Sequence, residues 1–142
     1  MSRAVRLEAV LYAQQHYGVM YGDHIGRCFT CGMMVDITKK GGGQAGHWRP
    51  RSKGGGSGTY FDERNVKLQC AKCNAWEQGM PDEFEAGLLK LYGKKVVDEL
   101  RLLHKLPSPY KATDYIGLAL HWKHITYNLL KQTGVRKWWK KD

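Results

Sequence analysis

Cys28 and Cys31 frame CFTC, Cys70 and Cys73 frame CAKC, and thirty-eight residues separate the two pairs. Two C-x2-C pairs at this spacing are a strong signal for one tetrahedral Zn(Cys)4 site. Each pair can fold as a tight knuckle whose two thiolates point at one ion, which clamps the ends of a long, glycine-rich insertion. Metal binding to such a site supplies about 10–16 kcal/mol of apparent free energy, and here that is folding free energy. Four sulfur ligands leave no open position for chemistry, so the zinc is expected to be structural.

The redox compartment supports zinc over disulfides. The opening MSRAVRLEAVLYAQQHYG has acidic and polar residues inside its apolar pattern and does not read as a signal peptide. No apolar run approaches the ~20 residues that cross a bilayer. The expected place is therefore the cytoplasm, where thiols stay reduced. A redox C-x-x-C is set aside because the thioredoxin-like context is missing.

Around the cysteines the chain divides by pattern. Residues 4 to 17 carry Val5, Leu7, Val10, Leu11 and Tyr17 at helical spacing, with Gly18 as a stop. Between 22 and 80, glycines, turn residues and short apolar pieces (33–37, 66–68) predict a small β-containing unit with long loops. Pro81 and the acidic Asp82, Glu83 and Glu85 open a helix with Leu88, Leu89, Leu91 and Tyr92 as its apolar face, and Gly93 ends it. A second helix is expected over about 94–105, with Val96, Val97, Leu100, Leu103 and Leu106 inward, broken by the PSP at 107–109. A third is expected over about 112–132, burying Tyr115, Ile116, Ala119, Leu120, Trp122, Ile125 and Leu129. Divided this way, the chain has an N-terminal helix (1–21), a zinc-bound core (22–80), a helical extension (81–134) and a basic aromatic tail (135–142).

Lys and Arg number 23 against 13 acidic residues, a net charge of +10, which favours a polyanionic partner, nucleic acid first. Within that basic chain, His47 stands in GQAGHWRPRSK between glycine runs at 41–43 and 54–58, Asn65 ends FDERN, and Asn74 directly follows the last cysteine. A His, an Asn, then a second Asn just after a C-x2-C is the order found in HNH or His-Me finger nucleases.

The segment AGHWRPRSKGGGSGTYFDERNVKLQCAKCNAWEQG closely resembles the NinG/Rap recombination nucleases of lambdoid phages, a likeness running from about Cys28 to Gly93. The resemblance implies an α+β chain: a zinc-stapled ββα-metal (His-Me finger) nuclease core with an N-terminal helix and a C-terminal helical extension. It implies a structure-specific endonuclease that hydrolyses phosphodiester bonds in branched recombination intermediates of Holliday-junction or D-loop type. His47 would end the first β element and act as general base, since a free imidazole has a pKa near 6.5 and is available neutral. Asn74 would open the α element and offer its oxygen to Mg²⁺ or Mn²⁺, and Asn65 would pin the loop that aims His47. Arg49 and Arg51 would grip flanking phosphates with forked guanidinium groups. Lys53 and Arg64 join them on the DNA-facing surface. The glycines would let a phosphate backbone come close.

Many nucleases of this class place an aspartate before the histidine as a second metal ligand, whereas this chain has Gly46. Asp36, Asp62, Glu63 and Glu77 are the alternative carboxylates, and His47 itself could ligate the ion instead. Asn74 as a mere helix N-cap, and Asn65 as a turn residue only, are the plainer alternatives. His121 and His124 lack a third ligand and read as surface residues. In the tail, Arg136, Lys137, Lys140 and Lys141 surround Trp138 and Trp139, a mixture suited to backbone neutralisation plus base stacking.

Two rivals stand beside the junction endonuclease: a non-catalytic, zinc-stabilised DNA-binding recombination protein, and an HNH nuclease without junction selectivity. No membrane partner is expected. The two-fold symmetry of a four-way junction would favour a homodimer through the helices between 82 and 132. The resemblance also implies recombination or replication proteins of a phage or its host as partners, in the cytoplasm of a bacterial host cell.

Overall fold

The structure, a computed structural model, describes residues 1–17, 24–51, 58–136 and 139. Helix α1 (Ser2–Tyr17) buries Ala4, Val5, Leu7, Val10 and Ala13, a stripe in which alanines complete the face set by the branched residues. The Tyr17 side chain lies outside what is described.

Strands β1 (Ile25–Arg27) and β2 (Met34–Asp36) form a short antiparallel pair whose connecting turn holds Cys28 and Cys31. That turn closes through Cys28 N–H to Met33 O at 2.8 Å and Gly32 N–H to Cys28 O at 3.0 Å, and Gly32 takes the positive φ of 76° it requires. A second antiparallel pair joins β3 (Gly43–His47) to β4 (Val66–Cys70), in register from Gly43 opposite Cys70 to His47 opposite Val66. Three helices follow: α2 (Pro81–Tyr92), α3 (Lys94–His104) and α4 (Asp114–Thr133). The fold is thus mixed α+β, with two two-stranded sheets among the described residues.

Alternation along β3 and β4 assigns their side chains to two faces. Gly43, Ala45 and His47 share one face with Val66, Leu68 and Cys70, and that side meets α1 in a core that includes Leu7, Val10, Cys28 and Ile37. Gln44 and Gly46 share the other with Lys67 and Gln69. Here Lys67 Nζ donates to the Tyr92 hydroxyl of α2 at 2.8 Å. Trp48, one residue past the strand, enters a second core with Phe84, Leu88, Val97 and Leu100 of α2 and α3. The hairpin therefore stands between α1 and the α2–α3 pair.

Three details depart from expectation. The element after β4 is a single wide turn (Lys72–Trp76) in which Glu77 N–H reaches back five residues to Lys72 O at 2.9 Å, not a helix opening at Asn74. Second, α4 docks on α1 through Trp122, Thr126, Leu129 and Thr133 at i, i+4, i+7 and i+11, so Tyr115, Ile116, Ala119 and Leu120 on its first half are exposed. Third, Leu89 and Leu91 of α2 are exposed because Phe84 and Leu88 carry its contact, and Leu106 lies past the end of α3, also exposed. No helix among the described residues is long and apolar enough to cross a membrane.

Candidate functional site

The four cysteine sulfurs lie within 4.8 Å of one another, drawn together by the β1–β2 turn and the end of β4. A tetrahedron with Zn–S arms of ~2.3 Å has edges of about 3.8 Å, and Cys31 Sγ to Cys70 Sγ is 3.8 Å. Backbone amides point at the sulfurs, Cys70 N–H to Cys28 Sγ at 3.3 Å and Cys73 N–H to Cys70 Sγ at 3.5 Å. Burial opposes ionisation of Cys28, yet donors from Cys31, Thr30 and Cys70 outweigh it and bring the thiol down to about 6. Burial pushes Cys73 up to about 12. A dication bound among the sulfurs would favour the thiolate form that its ligands need. The cluster can hold a metal ion such as zinc.

At the other end of the hairpin, His47 lies flat against Tyr60, ring centroids 4.5 Å apart, and its Nε2 sits 3.1 Å from the Tyr60 carbonyl oxygen. A carbonyl only accepts, so Nε2 carries the hydrogen and the lone pair of the neutral ring is on Nδ1. Burial lowers the His47 pKa below its ordinary 6.5 and Arg51 lowers it further, while the Tyr60 carbonyl works the other way. The ring is held neutral in one tautomer.

Asn65, fully buried, fixes the chain that leaves His47. Its Oδ1 accepts from Arg49 N–H at 2.8 Å, and its Nδ2 donates to Arg49 O at 2.9 Å and Thr59 O at 3.1 Å. Its own carbonyl accepts from Trp48 N–H at 2.9 Å. Because Thr59 is next to Tyr60, one amide side chain ties the residues after His47 to the residue preceding its hydrogen-bond partner.

Asn74 is not an N-cap. It sits inside the wide turn and donates from Nδ2 to Gln44 Oε1 at 2.7 Å. Gln44 is three residues before His47, about 10 Å along an extended strand, and on the opposite face. The structure does not join His47 and Asn74: His47 ends β3 and bonds Tyr60, while Asn74 meets Gln44 on the strand's other face.

Gly46, where an aspartate was missed, is filled from below. A Cβ there would stand 1.9 Å from Gln69 Oε1 and 2.7 Å from Gln69 Cδ. Gln69 is fully buried and cannot easily retreat, since Nε2 donates to Thr30 Oγ1 at 3.1 Å and Gly79 O at 2.8 Å. Gly46→Ala is expected to cost about 1–3 kcal/mol from overpacking, read as a lower denaturation midpoint. Adding Gln69→Ala should return part of it; two independent, additive losses would show that the clash is not the cause.

The alternative carboxylates stand in surroundings of their own. Asp36 accepts from Thr38 Oγ1 at 2.6 Å and pairs with His24 at 3.2 Å, and Asp62 is held by Arg64 at 2.7 Å. Glu63 and Glu77 are exposed, and the four cysteines are the one group of three or more His, Cys, Asp or Glu side chains among the described residues able to hold an ion. For a catalytic divalent ion the described residues offer the Asn74 amide oxygen and no cluster of three or more carboxylates.

The arginines separate. Arg49 lies over Trp48 at 4.3 Å and Arg51 over Tyr60 at 4.4 Å, flanking His47, while Arg64 is spent on Asp62 and Glu99. Arg136 is exposed, as are His121 and His124. Lys53, Lys137, Lys140 and Lys141 lie outside the described residues. Sequence reasoning missed Tyr60, Gln44 and Gln69, whose roles depend on the β3–β4 register. Trp48 had one legible signal, its apolar bulk directly after His47.

The sequence model of the family described as "Bacteriophage Lambda NinG protein" matches residues 19–132. The chain is similar to "Protein ninG" of Escherichia phage 933W, 30% identical over 77 residues, covering 54% of this chain and 35% of that protein. It is likewise similar to "Protein ninG" of Salmonella phage P22, 31% identical over 78 residues, 55% of this chain and 36% of that protein. It thus spans about a third of the length of these curated relatives. No solved structure matches it. With the family pattern extending from before the first cysteine pair nearly to the end of α4, the chain belongs to the NinG family.

Proposed function

We propose that this chain is a metal-dependent endonuclease of the HNH or His-Me finger type acting on branched DNA in phage recombination. The reading rests chiefly on one observation: His47 is stacked on Tyr60 and hydrogen-bonded through Nε2 to its carbonyl, with burial favouring the neutral ring, which leaves Nδ1 to take a proton. Its Nδ1 would accept that proton from a water as the water oxygen attacks phosphorus and the bond to the 3′ oxygen breaks. In-line displacement puts attacking and departing oxygens on opposite sides of phosphorus. The attacking oxygen is therefore given to His47 and the departing one to an ion on Asn74.

Arg49 and Arg51, held flat on aromatic rings beside His47, would fix the neighbouring phosphates. Asn74 would hold a divalent ion whose remaining ligands come from phosphate and water, a hard-cation arrangement. When bound, such an ion neutralises charge that builds on the phosphoryl and leaving oxygens. A homodimer on a two-fold junction, in the host cytoplasm, completes the proposal; light scattering that gives a monomer on and off DNA would remove the dimer.

Cleavage of junction, flap, D-loop and linear DNA, with and without Mg²⁺ or Mn²⁺, tests the reading. No cleavage of any substrate leaves the non-catalytic DNA-binding alternative, which the missing aspartate favours, and equal cleavage of all leaves a nuclease without junction selectivity. For the active enzyme, log kcat/KM is expected to rise by one decade per pH unit and to level off. Only neutral His47 accepts a proton and burial depresses its pKa, so the midpoint should fall below 6.5. A midpoint above 6.5 would contradict that assignment.

A further inference from the structure

Trp76 ends the wide turn that carries Asn74 and is 78% exposed, more than any other large apolar side chain among the described residues. An indole offers on the order of 150–250 Å² of surface for burial, and its ring meets no other ring or cation among the described residues.

The backbone fixes it there. Gly79 N–H donates to Cys73 O at 2.8 Å, and Gln78, Gly79 and Met80 follow with φ of 52°, 84° and 48°. Left-handed non-glycine residues cost about 1–3 kcal/mol each and persist where the surroundings over-determine them. Here the surroundings are Cys73 of the metal cluster on one side and Met80, packed on the main core, on the other.

The chemistry of the patch selects its ligand. Lys72, exposed on the same turn, favours a polyanion, while Glu77 directly after the indole disfavours a phosphate at that spot. What fits beside a bare ring and a carboxylate is the flat, uncharged face of a base. In a continuous duplex each base face is already stacked on its neighbour. A free face exists where pairing is interrupted.

We propose that Trp76 stacks on an unpaired or branch-flanking nucleobase and so supplies part of the preference for branched over linear DNA. This rests on the DNA-cleaving reading of the site and names a contact that reading lacks. Base–aromatic stacking by alanine substitution corresponds to about 5- to 150-fold in affinity.

The test measures the binding of a four-way junction and of a linear duplex, each carrying 2-aminopurine at the branch-flanking position or its equivalent, with no Mg²⁺ or Mn²⁺ added. Trp76→Ala is expected to weaken junction binding by about 5- to 150-fold and leave the duplex unchanged. Trp76→Phe should keep most of the junction affinity and the 2-aminopurine signal. Equal binding of the junction by wild type and Trp76→Ala overturns the proposal and points to a protein partner instead. Equal losses on junction and duplex also overturn it, as does a Trp76→Ala chain without its metal or fold, because the ring is then structural. A wild type that cleaves DNA with no Trp76 effect sinks this inference alone; a wild type that binds no DNA sinks the nuclease reading as well.

Discussion

His47→Ala is expected to lower cleavage of branched DNA by about 10²–10⁴-fold, the usual range for a positioned general base, with affinity for the same DNA little changed. The size of the effect follows from the lone pair on Nδ1, which no described neighbour duplicates: Tyr60 presents a carbonyl to Nε2, and Arg51 is a permanent cation. The affinity should hold because Arg49 rests on Trp48, Arg51 still has the Tyr60 ring, and Asn65 still ties Arg49 and Thr59. Single-turnover cleavage beside a binding curve separates the outcomes. Parallel losses in rate and affinity would make His47 a DNA contact, and an unchanged rate would move the base elsewhere.

Removing a zinc held by the four cysteines should do more. A structural zinc contributes about 10–16 kcal/mol of apparent free energy to small domains, against a typical total stability of about 5–15 kcal/mol. Chelation is therefore expected to unfold the β1–β2 turn and the β3–β4 hairpin together, because Cys28 and Cys31 belong to one and Cys70 to the other. Cys70→Ser should be more damaging than Cys31→Ser. Cys70 is buried on the last rung of the hairpin, whereas Cys31 is exposed and water can take its place at the ion. Amide hydrogen exchange across β4, with and without chelator, gives the readout. Retained protection in a metal-free chain would show that the apolar core suffices.

Features set by local spacing were legible from the residues. The two cysteine pairs meet as their spacing requires, and Pro81 and Gly93 bound α2 as such residues do. Which face of α4 is buried was not legible, because Thr126 and Thr133 are interior while Ile116 and Leu120 are not. Each threonine satisfies its hydroxyl on the preceding turn, Thr126 to Trp122 O at 2.6 Å and Thr133 to Leu129 O at 2.7 Å, so burial costs it little. The candidate site divides the same way. His47, Asn65 and Asn74 stand out by their order along the chain. Tyr60, Gln44 and Gln69 act through contacts 13, 30 and 10 or more positions away, which no local pattern encodes.

Short two-stranded ribbons are prone to slide, and a slide of one position turns every side chain over. On β4 such a shift would carry Lys67 toward α1 and turn the Leu68 side chain away from it. Cys70 is the anchor that would forbid this, for the strand could not creep along its partner with its final sulfur gripped by an ion. The cysteine end of the hairpin would thus act as a ruler for the far end, and a chain charged with a misfitting ion would be expected to lose the alignment of its imidazole before it lost its helices.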